Sequence, residues 1–316
     1  MLTVAVSAMY LTVSLTTDER PVAPLDDAYI TFQYARQIAR GQPYRYNDGE
    51  PPTTGMTSPL FGFLMAGAYL LGFTGESLPG LAVGLGVLWL SLTSLLCYRI
   101  TLQLTKSQSW SYFAAILVTL TGPVQWGCFN GMETGLFSVL TLAAVNAFLA
   151  DRMTQCAWWV TLAAVTRTEG LILAGLMCFT VAVESLLDDG RLDWKQLIHL
   201  SPAMAIGLAP FAVNWVLTGT TSAAGLRAKS WFLNVPSYPK DIVNSILISY
   251  SNIVIGRFLA GNGWFVAPGL VLFSLLGWIE LAIQQRWRPM LLTLSWFVVG
   301  TLSTATLITA TWHVGR

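Results

Sequence analysis

Apolar runs follow one another along the chain near 1–16, 58–73, 80–102, 110–127, 131–150, 156–166, 169–187, 198–217, 263–283 and 290–311, with a weaker one at 243–260. Crossing the hydrocarbon core of a bilayer takes about 20 helical residues, and several of these runs approach that length. They are continuous rather than alternating, so they suit helices that satisfy their own backbone polar groups in lipid and not the strands of a barrel. Only 10% of the 316 residues are charged, against roughly a quarter in soluble domains. These features predict an all-α polytopic membrane protein, one transmembrane domain over 1–316, with two long polar stretches, 17–57 and 218–242, as external loops.

Composition also excludes some functions. A net charge of +1 offers no basic surface for nucleic acid. Cys97, Cys128, Cys156 and Cys178 lie in or beside apolar segments without ligand spacing, and read as small buried residues. With only His199 and His313 present, a histidine-based metal cluster is not expected. No metal or other cofactor is predicted, although acidic residues leave a divalent cation open. The first run lacks a basic start and leads straight into a polar loop, so it reads as a first membrane helix rather than a signal peptide.

Basic residues in short connections set the orientation. Arg99 with Lys106, Arg152, Arg191 with Lys195, and Arg286 with Arg288 mark four such connections. Placing them in the cytoplasm puts 131–134, 166–169, 218–242 and 25–60 on the opposite side, provided 58–73 and 243–260 do not cross fully. The first of those two is short and the second is polar, with Asn244, Asn252 and Arg257.

The outer face then collects the reactive side chains. Asp26 and Asp27 open a helix over Ala28–Ala39, where either could cap free amides. Tyr29, Phe32, Ala35 and Ala39 recur at helical spacing, which suggests a helix lying on the membrane surface with Arg36 and Arg40 toward headgroups or a phosphate. Asn47-Asp48-Gly49-Glu50 reads as a turn. Thr57 and Ser58 precede Pro59 at a helix start, where free amides can cap or bind an anion. Glu133 follows a turn already supplied by Asn130 and Gly131, which frees it to point inward. The segment 156–166 is too short to span and breaks at Arg167-Thr168-Glu169, and charges at such a break are functional candidates, with an internal Arg–Glu pair as the rival. Arg227 and Lys229 sit in the second loop before Trp231 and Phe232; His313 and Arg316 stand at the end of the sequence.

One carboxylate among several cations at a membrane surface suits transfer of a sugar from a lipid phosphate. Such a leaving group is already a stable anion, so it needs fixed cations rather than a proton donor. The attacking hydroxyl needs one base. Glycoside hydrolysis would instead want a carboxylate pair and no phosphate cradle.

Four segments in order, DDAYITFQYAR, NDGEPPTTGMTSPL, GMETGLF and TRTEGLIL, resemble the GT-C superfamily of membrane glycosyltransferases. More narrowly they are similar to the branch containing the mycobacterial arabinofuranosyltransferases, over roughly residues 20–316. That resemblance implies a GT-C-type bundle of about 9–11 helices with a large first external loop bearing short interfacial helices. It implies inverting transfer of a hexosyl or pentosyl unit from a polyprenyl-phosphate donor to a cell-envelope glycan, lipid or protein acceptor. The site would face outward from the cytoplasmic membrane of a bacterium. The base of the family falls on Asp26, with Asp27 next; the later acidic position falls on Glu133, and the arginine and glutamate of a further motif on Arg167 and Glu169. Thr168 stands where the pattern has Pro, and Phe61 where it has Trp. Related chains often continue past a His-x-x-Arg segment into a soluble part, which is expected to be absent after His313–Arg316. A transporter or flippase of a lipid-linked or small anionic substrate is the alternative, since binding sites also form at broken helices. A structural membrane protein without activity is the third reading.

Overall fold

A computed structural model describes residues 2–18, 22–188, 190–233, 238–260 and 270–308, apart from the side chains of 13–18, 224, 226, 227, 233 and 270. Among those residues regular structure is helical, with one isolated antiparallel bridge between Ser230 and Leu307. The first half contains α1 (Leu2–Asp18), α2 (Asp26–Ala39), α3 (Pro59–Leu70), α4 (Ser77–Thr105), α5 (Gln108–Leu120), α6 (Gly122–Phe129) and α7 (Thr134–Leu149). The second half continues with α8 (Met153–Thr166), α9 (Thr168–Asp188), α10 (Trp194–Gly207), α11 (Ala209–Thr218), α12 (Ala224–Lys229), α13 (Pro239–Ser251), α14 (Leu270–Ile283) and α15 (Trp287–Ala305). A π-helical stretch, Asn252–Leu259, extends α13.

Four helical runs are long and apolar enough to cross a membrane: Ser77–Thr105, Thr168–Asp188, Trp194–Thr218 and Pro239–Leu259. The α5–α6 pair makes a fifth if its 62° bend is counted within one span. That bend has a local cause. Pro123 in the first turn of α6 has no amide to continue the α5 ladder, and Thr121 turns extended before it. The chain is thus an all-α protein with several membrane-length apolar helices.

Two apolar cores organise the bundle. One gathers Phe32, Phe61, Val83, Leu90, Phe129 and Leu136 around α2, α3, α4 and α6. The other gathers Phe148, Val160, Leu173, Met177, Leu200 and Leu292 around α7 to α10 and α15. α2 buries Ala28, Thr31, Phe32, Tyr34 and Ala35, so its apolar stripe meets protein; Tyr29, expected in that stripe, is exposed.

The bundle has two chemically distinct ends. At one, Arg288 Nε reaches Glu184 at 2.6 Å, Nη1 reaches Asp151 at 2.6 Å and Nη2 reaches the Gln196 side-chain oxygen at 3.1 Å. Arg286 donates to the Leu104 carbonyl at 2.7 Å. These bonds bring all four short basic connections to one end. The opposite end carries the starts of α7 and α9 and the close of α15, about 24 Å away along the 16 residues of α7.

The two segments expected not to cross fully differ in the structure. α3, with 12 residues, is too short to cross. The α13–π run is long enough, and its contacts show how it lies. Ile253 clusters with Ala305 near the end of α15, and the Phe258 ring lies 5.4 Å from that of Phe297, halfway along α15. The run thus packs antiparallel along the second half of α15, and its length and apolarity would allow it to cross, contrary to the expectation for 243–260.

Candidate functional site

The site begins with a turn. Gly131 adopts a left-handed backbone, φ +77°, beneath Ala23 and Ala28, where a Cβ would lie 2.8 Å from the Ala23 methyl. Asn130 Oδ1 accepts the Met132 amide at 2.9 Å, and its Nδ2 donates to the Thr134 hydroxyl at 3.0 Å. With the turn closed by those groups, Glu133 at the N-cap of α7 makes no cap bond. Its side chain turns inward and is only 2% exposed.

The partner comes from the break between α8 and α9. Arg167 is extended, φ −149° and ψ 148°, which ends α8 and aims the side chain at the α7 turn. Gly170 allows the crossing, because a Cβ there would overlap the Ala163 backbone. Arg167 Nη1 reaches Glu133 Oε1 at 2.7 Å and Nη2 reaches Glu169 Oε1 at 2.7 Å. Its guanidinium also lies 5.9 Å from the Phe137 ring centre. Burial works against the Arg167 charge, but Glu169 and Glu133 outweigh it and raise its pKa above the ordinary arginine value. The internal Arg–Glu pair is therefore real. Even so, Glu133 Oε2 is buried and makes no hydrogen bond, and a bare buried carboxylate oxygen is costly.

The first loop adds Asp27. It sits in the first turn of α2, on the face shared with Thr31 and Tyr34, and its Oδ2 lies 3.4 Å from Lys229 Nζ. Gly131 against Ala28 sets this turn of α2 directly on the α7 turn that carries Glu133. Lys229 is delivered by the second loop, which is stitched to the end of α15 by the Trp231 amide donating to the Thr306 carbonyl at 3.0 Å. Neither aspartate is the N-cap; Leu25 occupies that position. Asp26 is exposed and its Oδ1 accepts the Asp27 amide at 2.9 Å. Among the described contacts the second aspartate, rather than the first, pairs with a cation.

Among the described contacts, none joins the other candidates to it. Arg40 pairs with Asp48 at 3.1 Å on the exposed side of the first loop. Thr57 is exposed; Ser58 stands at the N-cap of α3 but its hydroxyl caps nothing and is buried. Arg36 is half-buried, with its Nε enclosed and unpartnered. The Arg227 side chain, His313 and Arg316 lie outside the described residues.

Beside the cluster opens a cleft of about 340 Å³. Its wall combines Glu169 with Phe137 and Ile172, Arg257 and Phe258 from the π-helical stretch, and Trp296, Phe297 and Thr301 from α15. In the sequence Arg257 is one of three polar residues that weaken the apolar run 243–260. A charged residue in such a run is the signal that could have singled it out. Among the described residues no group of three or more His, Cys, Asp or Glu side chains could hold a metal. Comparison with protein families, curated proteins and solved structures finds no match to this chain.

Proposed function

We propose that the chain is a GT-C-type membrane glycosyltransferase that moves a monosaccharide from a polyprenyl-phosphate donor to an envelope acceptor, outside the cytoplasmic membrane of a bacterium. The observation that carries this reading is that the Asp27–Lys229 pair and the Glu133–Arg167–Glu169 network stand on adjoining turns, packed through Ala28 and Gly131, at one bundle end beside an apolar cleft. In this reaction the acceptor oxygen attacks the anomeric carbon, its proton passes to a carboxylate, and the bond to the phosphate oxygen breaks with the electron pair leaving on phosphate. Asp27 is the base, being partly open and held beside Lys229. Lys229 and Arg167 are the cations near enough to stabilise the charge that builds on the leaving group. Glu133 and Glu169 hold Arg167 in one orientation and act as positioning residues.

A transporter or flippase is the second reading, favoured by the helix break at Arg167. Both terminal nitrogens of that arginine already meet carboxylates of the same chain, which suits a fixed site better than a carrier. The test is a panel of polyprenyl-phosphate monosaccharides offered to the purified protein with a mixed acceptor fraction. Sugar transfer is expected with at least one donor, and Asp27→Asn should lower its rate by about 10³-fold, within the range for loss of a general base. Undiminished turnover in Asp27→Asn would remove the base assignment. Donor crossing a sealed bilayer without sugar transfer would favour the carrier.

A further inference from the structure

We infer that Lys229 is an exchangeable latch on Asp27. Before substrate binds, its ammonium covers the base; it then passes to the phosphate of an arriving lipid, which uncovers the carboxylate for the acceptor hydroxyl. This rests on the glycosyl-transfer reading and adds a control to it. The contrast between the two cations makes the case. Arg167 is held at 2.7 Å by Glu133 and at 2.7 Å by Glu169, and both carboxylates must let go before it can move. Lys229 meets Asp27 through one contact of 3.4 Å, with the two side chains 34% and 28% exposed. An ion pair that long and that open to water is weak, and it yields to an anion that comes closer.

The mounts on either side are fixed, so the moving part is the lysine side chain alone. Lys229 closes α12, and the next two residues are tied to the end of α15. Ser230 forms its antiparallel bridge with Leu307, and the Trp231 amide donates to the Thr306 carbonyl. Asp27 stands one residue before Ala28, which is seated on Gly131. Between these mounts the lysine has a flexible four-carbon stem and a compact charge, so it changes partner by bond rotation without moving either loop. The pairing also has a chemical consequence. Nζ stands at Oδ2 of Asp27, and an ammonium offers three donors and no acceptor. It cannot relay a proton from a hydroxyl to that oxygen, so the hydroxyl reaches Oδ2 only after Lys229 leaves. The phosphate that draws the lysine away is also the group on which charge then builds. The base is thereby coupled to the presence of the donor.

The experiment places the full chain in nanodiscs of zwitterionic phosphatidylcholine and adds a water-soluble carbodiimide. The reagent activates a carboxyl group, and an amine in contact displaces it as the urea, leaving an amide between the two side chains. Mass spectrometry of the digest should find an amide joining Asp27 to Lys229, and Asp27→Asn should abolish it. Farnesyl methyl phosphate, a diester with one negative charge, should lower the yield about tenfold, given the strength of a charge-assisted contact. Farnesol should leave the yield unchanged, and so should phosphatidylglycerol in the nanodisc; a fall with phosphatidylglycerol alone would mean that bilayer headgroups draw the lysine, and would overturn the latch. In turnover, a non-reacting acceptor analogue should inhibit uncompetitively against the donor, because Asp27 receives the acceptor only once the donor has taken Lys229. An amide yield indifferent to farnesyl methyl phosphate, a link to Asp26 in place of Asp27, or competitive inhibition would overturn the latch even if sugar transfer proceeds. Loss of the amide on adding the diester, with no donor turned over, would leave the latch assigned and remove the glycosyl-transfer reading.

Discussion

Arg288 and Arg167 hold opposite ends of the same bundle, and they are used differently. All three guanidinium nitrogens of Arg288 meet side-chain oxygens, and its face lies 5.2 Å from the Phe148 ring. That network joins the α7–α8 turn, the end of α9, the start of α10 and the start of α15. Arg167 also meets two carboxylates, but one of them, Glu133, keeps a buried oxygen without a partner. Alongside it Asp27 and Lys229 remain partly open at 3.4 Å. A fully satisfied network is a staple, whereas one left incomplete in a buried place costs stability and points to a use.

The sharpest way to break this contrast is topological. With the native cysteines replaced, single cysteines at Thr105 and Thr220 should react with an impermeant thiol reagent from opposite sides of sealed vesicles. Labelling of both from one side would dissolve the distinction between the ends.

Next in size is Arg288→Ala. Breaking a buried ion pair by deleting one partner costs about 3–5 kcal/mol, and the open Asp151 places this variant at the lower limit, near 3 kcal/mol. Unfolding in detergent should register that loss, while turnover per folded molecule stays within about twofold of the parent. A variant of full stability but lost turnover would show that the basic end is part of the reaction.

Arg167→Lys gives the converse. A lysine keeps the charge but cannot place two separate N–H groups on two carboxylates. The cluster should loosen by an ångström or so, and such a misplacement costs about 10²-fold in rate. Stability should fall less than in Arg288→Ala. An active Arg167→Lys would mean that charge alone, and not the double contact, serves the site.

Much of this arrangement is legible in the sequence, and the reason is local. Helices follow from long apolar runs, and the break at Arg167 follows from charge between two runs. Asn130-Gly131 announces its own turn, which is why Glu133 can be expected inside. The four basic connections gather at one end, where Arg286 and Arg288 tie them together. What resists reading depends on distant partners. Which of two adjacent aspartates faces inward is decided by Lys229, 202 residues later, and by the seat of Ala28 on Gly131. Arg257 looks like a defect until α15 supplies the opposite wall of the cleft. Arg40 looks like a phosphate ligand until the turn at Gly49 folds Asp48 onto it.

That last pair yields the smallest prediction. The Arg40 and Asp48 side chains are 46% and 61% exposed, where water screens the attraction and ordering two side chains offsets much of it. Exposed pairs contribute about 0–1 kcal/mol, so Arg40→Gln should shift unfolding by no more than about 0.5 kcal/mol. Turnover should be unchanged, since Arg40 lies on the outer side of the first loop and joins no residue of the Asp27–Arg167 cluster. A large loss of donor affinity in Arg40→Gln, with stability intact, would instead extend the phosphate-binding surface across the first loop. The contrast between the two ends would then widen into one between the whole outer loop and the basic connections.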